Sequence, residues 1–171
     1  MRIFIFSSIC YLLFTINSSF AFEQNPKDED IGKGGRDDKS FMNAKNSNFQ
    51  KGKDALKQAL KLKKKDKPKK ANKKFEKAIK YFILDYESFP EDVDLLNHLG
   101  FTYNLVGDFM MSEIYYREAL SIDPKNPVIN QRLGELYVNT KRIDLANERL
   151  KTLKICNCEE YLFLKNILEQ N

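Results

Sequence analysis

The sequence predicts an all-α fold, a short α-solenoid of helix-turn-helix repeats closed by a C-terminal capping helix. Three observations carry that expectation. Residues 93–126 read as one complete helical hairpin, with Leu96, Leu99, Gly100 and Tyr103 in its first half, Gly107 and Asp108 at a turn, and Tyr116, Ala119 and Pro124 in its second. The pattern recurs 34 residues downstream, where Leu99, Gly100, Tyr103 and Ser112 are answered by Leu133, Gly134, Tyr137 and Ala146; a fixed period of roughly this length marks a repeat architecture. On either side, apolar residues fall at the three-and-four spacing of amphipathic helices.

That period and those residue types resemble the tetratricopeptide repeat (TPR) family. The resemblance implies an α-solenoid that holds other proteins or peptides, and no cofactor is expected. It also implies that the first helix of each repeat lines a concave groove. Carried over by position, the groove residues are Asn97, Phe101 and Asn104 from the central repeat and Gln131, Glu135 and Val138 from the next. Arg132 stands where part of the family has a cation for a C-terminal carboxylate, but Val128 stands where a second cation belongs, so a full carboxylate clamp is not expected.

The chain has 171 residues, enough for one modest core with tails. Its beginning reads as a secretory signal peptide over residues 1–21: a basic Met1-Arg2 start, an apolar run from Ile3 to Ile16, and small residues before Ala21. The apolar run of about fourteen residues is short for the roughly 30 Å hydrocarbon core, which favours a cleaved leader over a membrane anchor. Cys10 follows the bulky Ile9, unlike a lipoprotein cleavage site. Export of a bacterial protein to the periplasm is the expected outcome, with no stable membrane span after cleavage.

Residues 22–50 read as a disordered polar linker, since few apolar residues are available to offset the entropy of ordering. The Gly32-Lys33-Gly34-Gly35 run is no phosphate loop, because Lys39-Ser40 follows Asp38 and no spaced Gly-Lys-Ser or Gly-Lys-Thr is present.

The first repeat is expected over about 52–92. Ala55, Leu56, Ala59, Leu60 and Leu62 form one helical stripe; Ala71, Phe75, Ala78, Ile79, Phe82 and Ile83 form the next, with Pro68 near its first position. The triplet Ala71, Phe75 and Ala78 repeats the second-helix pattern of the resemblance, but seven residues out of register, so this second helix is expected to run about two turns longer, toward Ser88. The second and third repeats are expected over 93–126 and 127–158. Gly107 with Asp108 provides a helix stop and a cap, and Asn126 with Pro127 opens the third pair. Asn139-Thr140-Lys141-Arg142 replaces the Gly-containing turn in that third pair. A final amphipathic helix over 159–170, with Tyr161, Leu164, Ile167 and Leu168 on one side, should cover the open end of the stack.

Charge divides the chain. From Phe22 to Lys80 there are 19 Lys and Arg against 9 Asp and Glu, and from Tyr81 to Asn171 there are 9 against 15, so a basic part precedes an acidic one. Fourteen lysines lie between Lys51 and Lys80. They read first as a solvated helical face and second as a surface for an anionic partner, with an anionic membrane or acidic protein ahead of nucleic acid: the run lacks interleaved aromatics for base stacking, and an exported protein seldom meets DNA. Cys156 and Cys158 are expected to pair as a local disulfide in an oxidising compartment, with a thiol-redox or metal-handling function as the alternative to a binding module. Two thiols do not complete a zinc site, and His98 reads as a packing or surface residue; no metal site is expected. The sequence shows no nucleophile-base-acid arrangement, and no enzyme activity is expected.

Overall fold

The computed structural model describes residues 38–156 and 158–170, with side chains from residue 47 onward. The expected signal peptide, residues 1–21, and residues 22–37 of the expected linker lie outside the described residues. Seven α-helices follow in the described chain: α1 Asp38–Lys64, α2 Pro68–Tyr86, α3 Val93–Val106, α4 Phe109–Ile122, α5 Pro127–Asn139, α6 Ile143–Leu153 and α7 Glu159–Glu169. They pack as sequential pairs, α1 with α2, α3 with α4 and α5 with α6; α2 meets α3 and α4 meets α5, while α7 lies against α5 and α6. This is the all-α arrangement of a short TPR-like solenoid. Among the described residues no helix is long and apolar enough to cross a membrane.

One boundary differs from the sequence reading. Residues 38–50, expected within the linker, are helical and belong to α1. No Gly or Pro interrupts residues 36–51, and Phe49 sets its ring 5.8 Å from that of Phe82 and 5.1 Å from that of His98. Once those contacts anchor the helix, extending it backward adds a hydrogen bond per residue without a new nucleation cost.

The first hairpin explains its own extra length. Ala59 in α1 and Ala78 in α2 are fully buried small residues. Earlier on α1, Gly52 has no room for a Cβ because the Phe82 ring occupies its place. In an antiparallel pair, an added contact earlier on the first helix needs a matching one later on the second. Phe82, two turns beyond Phe75, supplies it, and α2 reaches 19 residues against 14 for α4. In the central hairpin Gly100 plays the corresponding part: a Cβ there would lie 2.6 Å from the Tyr116 ring.

Local chemistry sets the helix ends. The Asp92 carboxylate accepts from the amides of Asp94 and Leu95 at 3.0 and 3.1 Å, opening α3. Gly107, at φ 86°, closes α3 in the left-handed conformation that costs glycine little. Asp108 then accepts from the Met111 amide at 3.1 Å and opens α4. Asn126 accepts from the Ile129 amide at 3.2 Å, ahead of Pro127 at the first position of α5. After α5, Lys141 adopts φ 61° where the central repeat has Gly107.

The core runs continuously from Ala55 to Ala146. Asn130 is fully buried where the preceding repeat has Leu96. Its amide nitrogen donates to the carbonyls of Pro124 and Asn126 at 3.0 and 2.9 Å, which fastens the turn between the second and third pairs. At the far end, fully buried Leu164 of α7 occupies the space a Cβ on Gly134 would need. α7 thus covers the exposed end of the third pair.

Candidate functional site

α3 and α5 are the first helices of adjacent pairs and run in the same direction, so their outward stripes form one surface. Asn97, Phe101 and Asn104 are half-buried on α3, and Gln131 and Glu135 are half-buried on α5. Arg132 joins the two. Its guanidinium donates to Asn97 Oδ1 at 2.8 Å and lies 4.4 Å from the centre of the Phe101 ring. A planar cation stacked on an aromatic face and fixed by an amide is oriented before any ligand arrives. On α5, Gln131 donates to Glu135 Oε2 at 3.2 Å. Burial holds the Glu135 carboxyl above its ordinary pKa, with Arg132 pulling in the opposite direction. Beneath this surface, burial pushes the Tyr116 hydroxyl upward as well.

Val138 does not line the groove as expected. It is only 2% exposed and belongs to the core. Val138 stands one turn after Gly134 on α5, the face on which Gly134 packs directly under Leu164 of α7. Asn104 stays on the α3 stripe, and its carbonyl accepts from the Gly107 amide at 3.1 Å.

The first helix extends the same surface. Lys53, Leu56, Lys57, Leu60, Lys61 and Lys64 of α1, with His98 of α3, line a concavity of about 430 Å³. His98 is a packing residue at its edge, 5.4 Å from the Phe82 ring centre, with Nδ1 2.8 Å from the Asp94 carbonyl. Arg132 and His98 occupy equivalent positions 34 residues apart. That repeat equivalence is the one sequence signal that points to both.

A second polar cluster lies between the second and third pairs. Arg142 Nη1 donates to Glu113 Oε2 at 2.6 Å, Tyr137 donates to Glu113 Oε1 at 3.0 Å, and the guanidinium sits 4.6 Å from the Tyr137 ring centre. It ties α4 to α5 and to the turn before α6. Sequence spacing offers no sign of this cluster, because its members come from three separate segments. In the turn before α7, Cys156 and Cys158 are joined by a disulfide with Cα atoms 5.2 Å apart, and Cys156 is exposed. Among the described residues, no group of three or more His, Cys, Asp or Glu side chains is placed to hold a metal ion.

Paired helices stacked in sequence, with the polar stripes of α3 and α5 joined through Arg132 and the Phe101 ring, define a repeat scaffold of the helical-hairpin class. Residues 93–126, which span α3, α4 and the turns that follow each, match the family model described as tetratricopeptide repeat. No curated protein matches the chain.

Proposed function

We infer that the chain is a non-catalytic module that binds a protein or peptide along the stripe formed by its first helices, acting as an adaptor or assembly factor in the bacterial periplasm after export. The observation that carries this reading is Arg132, held by Asn97 and stacked on Phe101 so that two repeats share one preorganised polar and aromatic surface. Such a surface binds with little further loss of side-chain freedom, because its rotamers are already restricted. The test is crosslinking and pull-down from envelope extract with the full chain and with a Phe101→Ala, Arg132→Ala double variant. Loss of the same partners from the variant supports the groove; equal recovery removes it. Detection of the chain in the cytoplasmic fraction alone would remove the periplasmic setting.

The Cys156–Cys158 disulfide, exposed at Cys156, favours a second reading, thiol-disulfide exchange with a partner dithiol. One partner thiolate attacks a sulfur of the pair, the other cysteine leaves as thiolate, and the second partner thiol resolves the mixed disulfide. The partner ends oxidised and the chain carries two thiols. Double replacement of Cys156 and Cys158 by Ser separates the readings, since a binding module keeps its partners without them.

A further inference from the structure

The basic end of the surface has its own geometry. Lys53, Lys57, Lys61 and Lys64 follow one another at intervals of four, four and three residues along α1, so one helical face carries an ammonium at every turn. Leu56, 6% exposed, and half-buried Leu60 form an apolar floor between them. Only basic, apolar and imidazole side chains line the concavity, and its His98 edge leads on to the Asn97 and Phe101 stripe of α3.

We propose that this face receives an acidic amphipathic helix of a partner protein, with its apolar side chains against Leu56 and Leu60 and its carboxylates on the four lysines. This rests on the reading of the first helices as a binding surface and specifies the chemistry of what they bind. Charge complementarity chooses the sign of the ligand, and the concave apolar floor chooses its form. A nucleic-acid backbone leaves the leucines unmatched, and phosphatidylglycerol vesicles among the probes separate an anionic bilayer from a protein helix. The pitch agrees too. At about 1.5 Å per residue the lysines span about 16 Å, and carboxylates spaced one turn apart on a docked helix repeat at that same interval. Alternate residues of an extended strand advance about 6.8 Å and drift out of step by roughly 4 Å over the four lysines.

The test titrates the full chain into a fluorescein-labelled peptide of about 18 residues, long enough to hold helix, with Glu at every third or fourth position beside a Leu stripe. The isosteric Gln peptide, a Glu peptide without the Leu stripe, and phosphatidylglycerol vesicles serve as the other probes. Lys57 and Lys61 are exposed, so Lys57→Glu with Lys61→Glu leaves the core untouched; circular dichroism checks the fold. The expected result is salt-sensitive binding of the Glu-Leu peptide, weakened about tenfold by the double variant and about tenfold by the Gln exchange. Equal affinity for the Glu and Gln peptides, both lost with Phe101→Ala, overturns the acidic partner while leaving the groove standing. Binding lost with the lysine variant but indifferent to Phe101→Ala supports the acidic site and counts against the α3 and α5 groove. Equal binding of the peptide without leucines, retention on vesicles alone, or no binding to any probe overturns the proposal.

Discussion

Lys141 holds, in the third helical pair, the left-handed backbone that Gly107 holds in the central one 34 residues earlier, at φ 61° against 86°. A side chain with a Cβ is strained there by contact with its own backbone, at roughly 1–2 kcal/mol for a non-Gly residue. The Lys141 side chain is exposed, so removing it sacrifices no packing. Lys141→Gly is expected to raise stability by about 0.5–1 kcal/mol after the added freedom of the unfolded chain is counted. A urea midpoint that stays the same or falls would contradict this.

Gly100 and Tyr116 allow a paired prediction. With the Tyr116 ring 2.6 Å from where a Cβ would stand, Gly100→Ala forces the hairpin apart and should cost about 1–3 kcal/mol. The buried Tyr116 hydroxyl makes no well-aligned hydrogen bond among the described residues, and the Ser112 hydroxyl beside it draws its pKa down against the effect of burial. Tyr116→Phe should therefore leave stability unchanged or raise it by up to about 1 kcal/mol, since a poorly satisfied buried hydroxyl is removed. Thermal or denaturant unfolding of the two variants measures both.

Glu135 sets a pH dependence. Its folded-state pKa lies above the unfolded value because burial disfavours the carboxylate. Above the folded pKa the group is charged in both states and weakens the fold by its full amount. That penalty fades as pH falls through the folded value, and it is gone below the ordinary carboxylate pKa of about 4.3. Glu135→Gln is expected to be more stable than the parent at pH 7, with the two curves converging toward pH 4. Parallel curves across that range would refute the assignment.

Leu164 tests the cap. It is fully buried against Gly134, so Leu164→Ala opens a cavity where α7 meets α5, at about 2–5 kcal/mol. Because Val138 shares the Gly134 face of α5 against which this cap packs, amides in the last turn of α5 should exchange hydrogen faster in this variant. Unchanged protection around Val138 would mean that another element covers it.

Sequence alone determined the repeat. The recurrence of Leu99, Gly100 and Tyr103 at 34 residues, the caps at Gly107, Asp108 and Asn126, and the amphipathic stripe of α7 are local or periodic signals, and each reports a backbone or packing requirement that one residue type satisfies. That α2 is longer was legible for the same reason, through the displaced Ala71, Phe75 and Ala78 triplet, although it ends at Tyr86, short of the expected two added turns toward Ser88. Only the tertiary structure decided what depends on approach between distant segments. Phe49 turned part of a polar stretch into helix by finding Phe82 and His98. Val138 went to the core instead of the groove, and Arg132 found Asn97 and Phe101 across two repeats. A helical period tells which side chains share a face. Which faces meet, and which are left for a partner, is settled when the hairpins stack.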